Sequence, residues 1–448
     1  MLSAALALQL VVISNATVLD PDSPTPRRDQ VVVVRGTRIE AVSDARTARI
    51  PAGARVIDAR GKFVIPGMWD MHVHTDISGG RPLLGLYVAA GVTGVRDMNG
   101  NLERLRAMQR DVRAGTLAGP RLVVSGPYVI GRALPPALGM PHFVATDSAS
   151  AARAVDSLVA MGVDFIKVHN WLPPAAHRGA ALAARRHGIA FAGHVALPNT
   201  PRRAAELGQR SQEHLYAFLN ECTSADSAVI ARGIPLQRFV MGECTSTSQA
   251  AEYAAIARQR SWVTPTLIVQ QLLATLAPTI LPGDSTAQYY GEALMRRLTM
   301  EMELPPQPPP AAVAAGGRLF ERRLAVVGAL HRAGVPILGG TDSPLSTGGP
   351  GASLAGELAY LVRAGLSPRE ALRTVTTEPA RYLSADSLGR VAAGKVADLV
   401  VLDGDPFADI ANVRRVWAVV ANGRVYDATA IEALHVEARR SARVTGTR

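Results

Sequence analysis

Apolar positions along the chain fall into two textures. From Leu8 to about Val64, short β-branched runs are cut by turn residues (LQLVVISNATVLDPD, QVVVVRGTRIEAVS, ARVIDARGKFVI), the pattern of short strands joined by tight turns. The same texture returns in KVADLVVLDGDP and RRVWAVVANGRVYD, before a polar, arginine-rich helical tail from about Ile431 to Arg448. Between them, from about Pro66 to Leu383, apolar runs alternate with Ala/Leu/Arg stretches of helical period, which predicts repeated βα units around a parallel sheet. Eight runs can be counted: FVIPGMWDMHVH, TGVRDM, RLVVSG, VDFIKVH, GIAFAGHV, RSQEHLY, WVTPTLIV and VPILGGTDS.

Eight such strands predict an α/β protein, a (β/α)8 TIM-like barrel with a small β-sandwich domain built from both termini. The expected division is 1–64 for the first part of the small domain, 65–384 for the barrel, and 385–448 for the second part and tail. An open doubly wound sheet is the alternative, but neither GxGxxG after the first strand nor a P-loop is present to cradle its usual cofactors. Between the seventh and eighth runs lies an insertion from Leu273 to Ala315, carrying Pro305, Pro306, Pro308, Pro309 and Pro310; it reads equally as a lid or as a solvent-side elaboration.

Composition narrows the classes. Hydrophobic residues at 48% and charged residues at 19%, evenly spread, exclude a disordered or fibrous chain. The longest apolar stretch, Met1 to Ile13, is broken by Ser3 and Gln9, short of the roughly 18–20 residues of a bilayer span, so no membrane partner is expected. Met1 to Leu10 has the texture of an export-signal core, yet no basic residue precedes Arg27, which leaves the compartment open between cytoplasmic and, if the start is trimmed, periplasmic or secreted. The net charge of +11 invites a nucleic-acid reading, but the arginines are scattered pairs without aromatic interleaving, so no nucleic-acid partner is expected. Only three of the 48 basic residues are lysines: Lys62, Lys167 and Lys395. Where arginine serves for generic surface charge, a retained lysine is a candidate for chemistry that needs a primary amine. Cys222 and Cys244 have no metal-site spacing and are either a disulfide or two unrelated thiols.

The polar residues on the runs carry the chemistry. His72 and His74 end the first, Lys167 the fourth, His194 the fifth, His214 the sixth and Asp342 the eighth, all at the C-terminal end of a predicted strand, where barrel enzymes build their sites. In His72-Val73-His74, the period of two puts both imidazoles on one side of the strand, facing the barrel axis, which is ligand geometry. His142, His177, His187, His331 and His435 lack this placement and read as structural or surface residues; His169, two positions past Lys167, is a further candidate. An ammonium among metal-binding imidazoles would repel the cation, so Lys167 is either neutral by desolvation or chemically converted. Tyr128, after the third run, and Tyr216, two beyond His214, are candidate substrate residues, with packing the equal alternative.

These motifs, with AGLSPREALRTVTTEPARYL and GRVAAGKVADLVVLDGDPFADI further on, resemble the amidohydrolase superfamily over nearly the whole chain, within it the group similar to imidazolonepropionase and the Xaa-Pro or Xaa-Arg dipeptidases. The resemblance implies two divalent metal ions, zinc or a similar borderline ion: His72, His74 and Asp342 on the first, His194 and His214 on the second, and Lys167 bridging them as a CO2-derived carbamate. It implies Asp342 as catalytic proton shuttle, a metal-activated water as nucleophile, a small-molecule substrate with an amide or peptide-like C–N bond, and a homo-oligomer. Lys62 and Lys395 fall in small-domain motifs and read as structural. Relatives of the form SLHxEL carry a histidine where this chain has Ser353-Leu354-Ala355-Gly356-Glu357-Leu358, and the spacing from Lys167 to His194 is short, so the substrate contacts differ. The alternative within enzymes is a mononuclear imidazolone hydrolase or deaminase, which has no need of the bridging lysine; outside them it is a silent scaffold, which would not need all six positions.

Overall fold

The computed structural model describes residues 10–77, 79–220, 246–275, 285–290, 310–345 and 348–445. Cys222 and Cys244 lie outside these residues, as do Pro305, Pro306, Pro308 and Pro309; Pro310 opens a helix, Pro310–Arg332. Both chain ends build one sheet. Strands β1 (Leu10–Val18), β2 (Arg27–Arg35), β3 (Arg38–Asp44), β4 (Arg55–Asp58) and β5 (Phe63–Pro66) come from the N-terminal part. β15 (Leu399–Leu402), β16 (Val416–Ala421) and β17 (Arg424–Tyr426) come from the C-terminal part, in the order β17-β16-β15-β5-β1-β2-β3 with β4 on β1. The halves join where β5 runs antiparallel to β15, Val64 opposite Val401 and Ile65 opposite Val400.

Alternation in these two strands welds the small sheet to the barrel. Val64, Leu399 and Val401 point into a core with Ile13, Val32 and Val420, while Ile65, Val400 and Leu402 point into the large core shared with Val92 and Val95. Both faces of the seam are dry, which explains why LVVL reads as a continuous apolar run rather than an alternating one. The predicted tail is the helix Ala428–Thr445.

The barrel begins with three parallel strands, β6 (Met68–Val73), β7 (Val92–Asp97) and β8 (Arg121–Val124). A second parallel set follows: β9 (Tyr128–Ile130), β10 (His142–Val144), β11 (Ile166–Val168), β12 (Phe191–Gly193), β13 (Ser211–Glu213) and β14 (Trp262–Thr264), in the order β10-β9-β11-β12-β13-β14. Two runs depart from the expected strands. The third breaks at Ser125-Gly126-Pro127, because Gly126 sits at φ +62° and proline has no N–H for a ladder; its continuation β9 puts Tyr128 on a strand and pairs with β11. The eighth is not a regular strand but closes the ring through single bridges, Ile337 to Val263 and Ser343 to Val73. Gly340 makes that closure possible: a Cβ there would lie 2.9 Å from His72 Cβ and the His72 backbone N.

Candidate metal centre

The close approach of the eighth segment to β6 sets Asp342 over the two histidines. Asp342 N donates to His72 O at 2.7 Å, and its carboxylate Oδ1 then stands 3.1 Å from His74 Nε2 and 3.3 Å from His72 Nε2. His214 Nε2 approaches Asp342 Oδ2 at 4.0 Å. Ligand atoms of His72, His214 and Asp342 all lie within 4.8 Å of one another, and all three residues are buried. The His194 ring meets His214 edge-on, centroids 4.7 Å apart. Lys167 is buried on β11, and its stem crosses Gly193: a Cβ at Gly193 would lie 2.9 Å from Lys167 Cδ. His169 stacks 4.4 Å from His194 and 5.3 Å from Tyr128. His142, on β10, stands 6.3 Å from the Tyr128 ring; nothing in its spacing marks this place, because β10 lies outside the eight runs.

Tyr216 reaches the cluster by another route than strand alternation. β13 ends at Glu213, His214 turns at φ +65°, and Tyr216 opens the helix Tyr216–Asn220, so the two residues do not share a strand face. The turn nevertheless stacks the Tyr216 ring on His214 at 5.0 Å, and 6.0 Å from His194. Asp342 at φ +56° and Thr266 at φ +49° repeat this left-handed turn at the ends of neighbouring segments, backbone strain concentrated around one cluster.

Three of the imidazoles have their tautomer set from outside. His72 Nδ1 donates to Glu213 Oε2 at 2.8 Å, and His214 Nδ1 to Thr266 Oγ1 at 2.7 Å, whose own hydroxyl is committed to Pro265 O. His194 Nδ1 faces Asn170 Oδ1 at 3.3 Å. In each case Nε2 keeps its lone pair. Burial, with the Lys167 charge, brings His72 down to about 4, and burial brings His214 down to about 3. Burial likewise holds His194 and His169 well below the usual imidazole range, and lowers Lys167 to about 8. For Asp342 burial opposes ionisation, but His72, His74 and His214 hold the carboxyl far below the ordinary range; His74 is raised by Asp342 against burial. Imidazoles held neutral at His72, His194 and His214, close to an anionic carboxylate, suit a divalent cation. His72 Nε2 and His74 Nδ1, buried and without a hydrogen bond among the described residues, fit the same group.

Beneath lie residues the motif reading passed over. Arg96 on β7 donates from Nη2 to Glu213 Oε1 at 2.7 Å, from Nη1 to Ser211 Oγ and Tyr382 Oη at 2.7 Å, and from Nε to Met71 O at 2.7 Å. Asp70 accepts from Thr341 Oγ1 at 2.6 Å and Thr341 N at 3.0 Å, which ties the eighth segment to β6. Asp97 accepts from Thr75 N at 2.6 Å and Oγ1 at 2.5 Å. Their signal was available: Asp70, Arg96 and Glu213 are charges inside buried parallel strands, where a charge persists only with a partner. The other histidines are engaged away from the cluster, His177 with Gln209, His187 with Asp156, His331 with Glu370 and His435 with Tyr289. Lys62 pairs with Asp403 at 2.5 Å, and Lys395 donates to Asp386 O.

Comparison with known proteins agrees with this architecture. Residues 63–426 match the Amidohydrolase family. The imidazolonepropionase of Anaeromyxobacter dehalogenans is 30% identical over 445 residues, covering 93% of this chain and 95% of that protein. Among solved structures, the bottromycin amidohydrolase AH superposes with a TM-score of 0.71 at 24% identity, covering 98% of this chain and 93% of that one. A Xaa-Pro dipeptidase with methionine in its active site superposes at 0.68 and 18% identity, covering 94% of this chain and 100% of its own; at such identities these two speak for the fold. With this family match, the full-length relative and the buried His72–His214–Asp342 site, the chain belongs to the amidohydrolase family of metal-dependent hydrolases.

Proposed function

We propose that the chain is a binuclear hydrolase that cleaves amide or peptide-like C–N bonds of small substrates, with dipeptides and N-acyl amino acids as the class to test. The observation that carries this reading is the convergence of His72 and His214, neutral and with their tautomers fixed, on the anionic Asp342. His72, His74 and Asp342 would hold one ion, His194 and His214 a second, and zinc suits the nitrogen-rich set. Lys167, brought down to about 8 by burial, keeps a share of neutral amine near pH 7. That amine can add to CO2 and lose a proton, giving an anionic carbamate able to bridge the two sites.

Bound divalent ions supply Lewis acidity, polarising the scissile carbonyl and making a water acidic enough to attack at neutral pH. The residues do the rest. Asp342, held ionised by its histidines, takes the proton of the attacking water and hands it to the leaving nitrogen. Glu213 holds His72 in place, and Arg96 holds Glu213, so the rings keep their aim through turnover. Tyr216 and His169 set their rings against His194, and Tyr128 sets its ring against His169, so these aromatic side chains flank the second candidate ion position.

The test is Lys167→Ala. The variant should fold, lose binuclear loading and activity, and recover part of both with a short carboxylic acid; full activity without rescue removes the carbamate from the mechanism. A mononuclear imidazolone hydrolase is the second reading, favoured by the imidazolonepropionase relative and by the compactness of His72, His214 and Asp342 alone. About one metal equivalent per chain, with ring-opening hydrolysis in place of amide cleavage, would select it.

A further inference from the structure

The centre described above accounts for its histidines, Lys167 and Asp342, and leaves one buried charge without a purpose. Arg323, in the helix Pro310–Arg332, is 1% exposed. Nη1 donates to Gln270 O at 3.3 Å, while Nε and Nη2 have no hydrogen-bond partner among the described residues. Arg96 shows what this chain does with a structural buried arginine: it surrounds the guanidinium with a carboxylate, three hydroxyls and a carbonyl. Arg323 has no such cage. Its neighbour Gln270 is equally buried, and neither Oε1 nor Nε2 of its side chain makes a well-formed hydrogen bond among the described residues, with the Tyr216 hydroxyl the polar group beside it.

A buried guanidinium edge beside a buried free amide is costly unless something arrives to fill it. Nε and Nη2 form the fork that matches the two oxygens of a carboxylate, and the Gln270 amide can add a donor and an acceptor beside it. The place has a connection to the chemistry. Gln270 N donates to Thr266 O at 3.1 Å, and Thr266 Oγ1 accepts from His214 Nδ1 at 2.7 Å. Gln270, with Arg323 on its carbonyl, therefore sits one helical turn beyond the residue that holds a candidate metal ligand.

We infer that Arg323 and Gln270 form a subsite for a carboxylate on the substrate, so that the chain selects amides bearing a free carboxylate over their neutral counterparts. The carboxylate's being part of a substrate rests on the hydrolase reading; the anion site itself rests on Arg323 and Gln270.

The experiment uses the metal-loaded full chain and two probe pools, N-acetyl-L-amino acids and the same compounds as C-terminal carboxamides. Thermal unfolding is followed with each pool for wild type, Arg323→Met, Arg323→Lys and Gln270→Leu. The carboxylate pool should raise the wild-type midpoint and the carboxamide pool should not; Arg323→Met should abolish the response, Gln270→Leu weaken it, and Arg323→Lys keep part of it. Without ligand, Arg323→Met should unfold at or above the wild-type temperature, because it deletes a buried charge that has no carboxylate partner among the described residues. A Met variant that fails to fold, or an equal response to both pools, or an unchanged response in Arg323→Met, overturns the subsite. Turnover of the same pools separates the two claims. For a hydrolysed carboxylate substrate, Arg323→Met should raise KM by about 100-fold with a smaller change in kcat. Hydrolysis of both pools with equal kcat/KM, unaffected by the variant, keeps the hydrolase and removes the subsite. Arg323-dependent carboxylate binding with no hydrolysis of either pool keeps the subsite and removes the amide hydrolase.

Discussion

The Arg96–Glu213 pair and the His72–Asp342 cluster lie one behind the other at the same end of the barrel, and solvent reaches neither freely. In the first, both charges are matched and the hydrogens of Arg96 are shared among Glu213, Ser211, Tyr382, Thr264 and Met71. In the second, three histidines crowd one carboxylate and two nitrogens stay orphaned. The same low-dielectric surroundings make the first a brace and the second a set of donors suited to a cation, because a buried polar group is stable only when its partners are present. Glu213 joins the layers: one oxygen accepts from Arg96, the other from His72.

The sharpest way to break this contrast is to unpair the brace. Arg96→Leu strands the buried Glu213 carboxylate and should cost about 3–5 kcal/mol of folding free energy, read by urea denaturation. A loss under about 1 kcal/mol would mean that the network is not what positions the strands. Next is Asp342→Asn in the upper layer, which should leave the far-UV spectrum intact and lower kcat by about 100- to 10,000-fold, as for a lost general acid–base group. An unchanged kcat would move the proton transfer to another residue.

A smaller effect, read by pH, comes from a buried carboxyl outside both layers, which sharpens the contrast with the paired Glu213. Glu357, buried with Oε2 accepting from Ile268 N at 2.8 Å, is raised by burial to about 8 from an ordinary 4.5. Below about pH 4.5 both folded and unfolded chains carry the proton and the shift has no effect; as pH rises toward 8 only the unfolded chain ionises, so stability falls through that window. Glu357→Gln should match wild type near pH 4 and exceed it at pH 8 by on the order of 1–2 kcal/mol. Parallel pH profiles for the two proteins would show that Glu357 is not held neutral.

How far this contrast was readable beforehand differs between its halves. The barrel and the two-ended sheet follow from period: a short run repeated with helical stretches between, and the same β texture at both ends. Strand-end position was likewise visible for His72, Lys167, His194, His214 and Asp342, because each closes an apolar run. What escaped is what depends on turns and pairing. Strand alternation could not anticipate that His214 leaves β13 through φ +65° and brings Tyr216 round on a helix. A run of letters cannot show that Gly126 and Pro127 split the third strand, or that Gly340 lets the last segment press on His72 without forming a ladder. Arg96, Asp70 and Glu213 stood in plain view inside apolar strands, but the side chains that join them, Ser211 and Glu213 to Arg96 and Thr341 to Asp70, lie 115 or more residues away, and only the fold pairs them. Arg323 is the extreme case: one arginine among 45, distinguished only by what fails to surround it.

The most direct test of the central claim is metal content per chain, measured on protein purified without chelator and again after reconstitution with zinc and bicarbonate. The account predicts about two equivalents in wild type, with a fall in Lys167→Ala that leaves the fold unchanged. Failure to bind any divalent ion after reconstitution, in a protein shown to be folded, would contradict it and leave the buried histidine cluster without the partner its geometry requires.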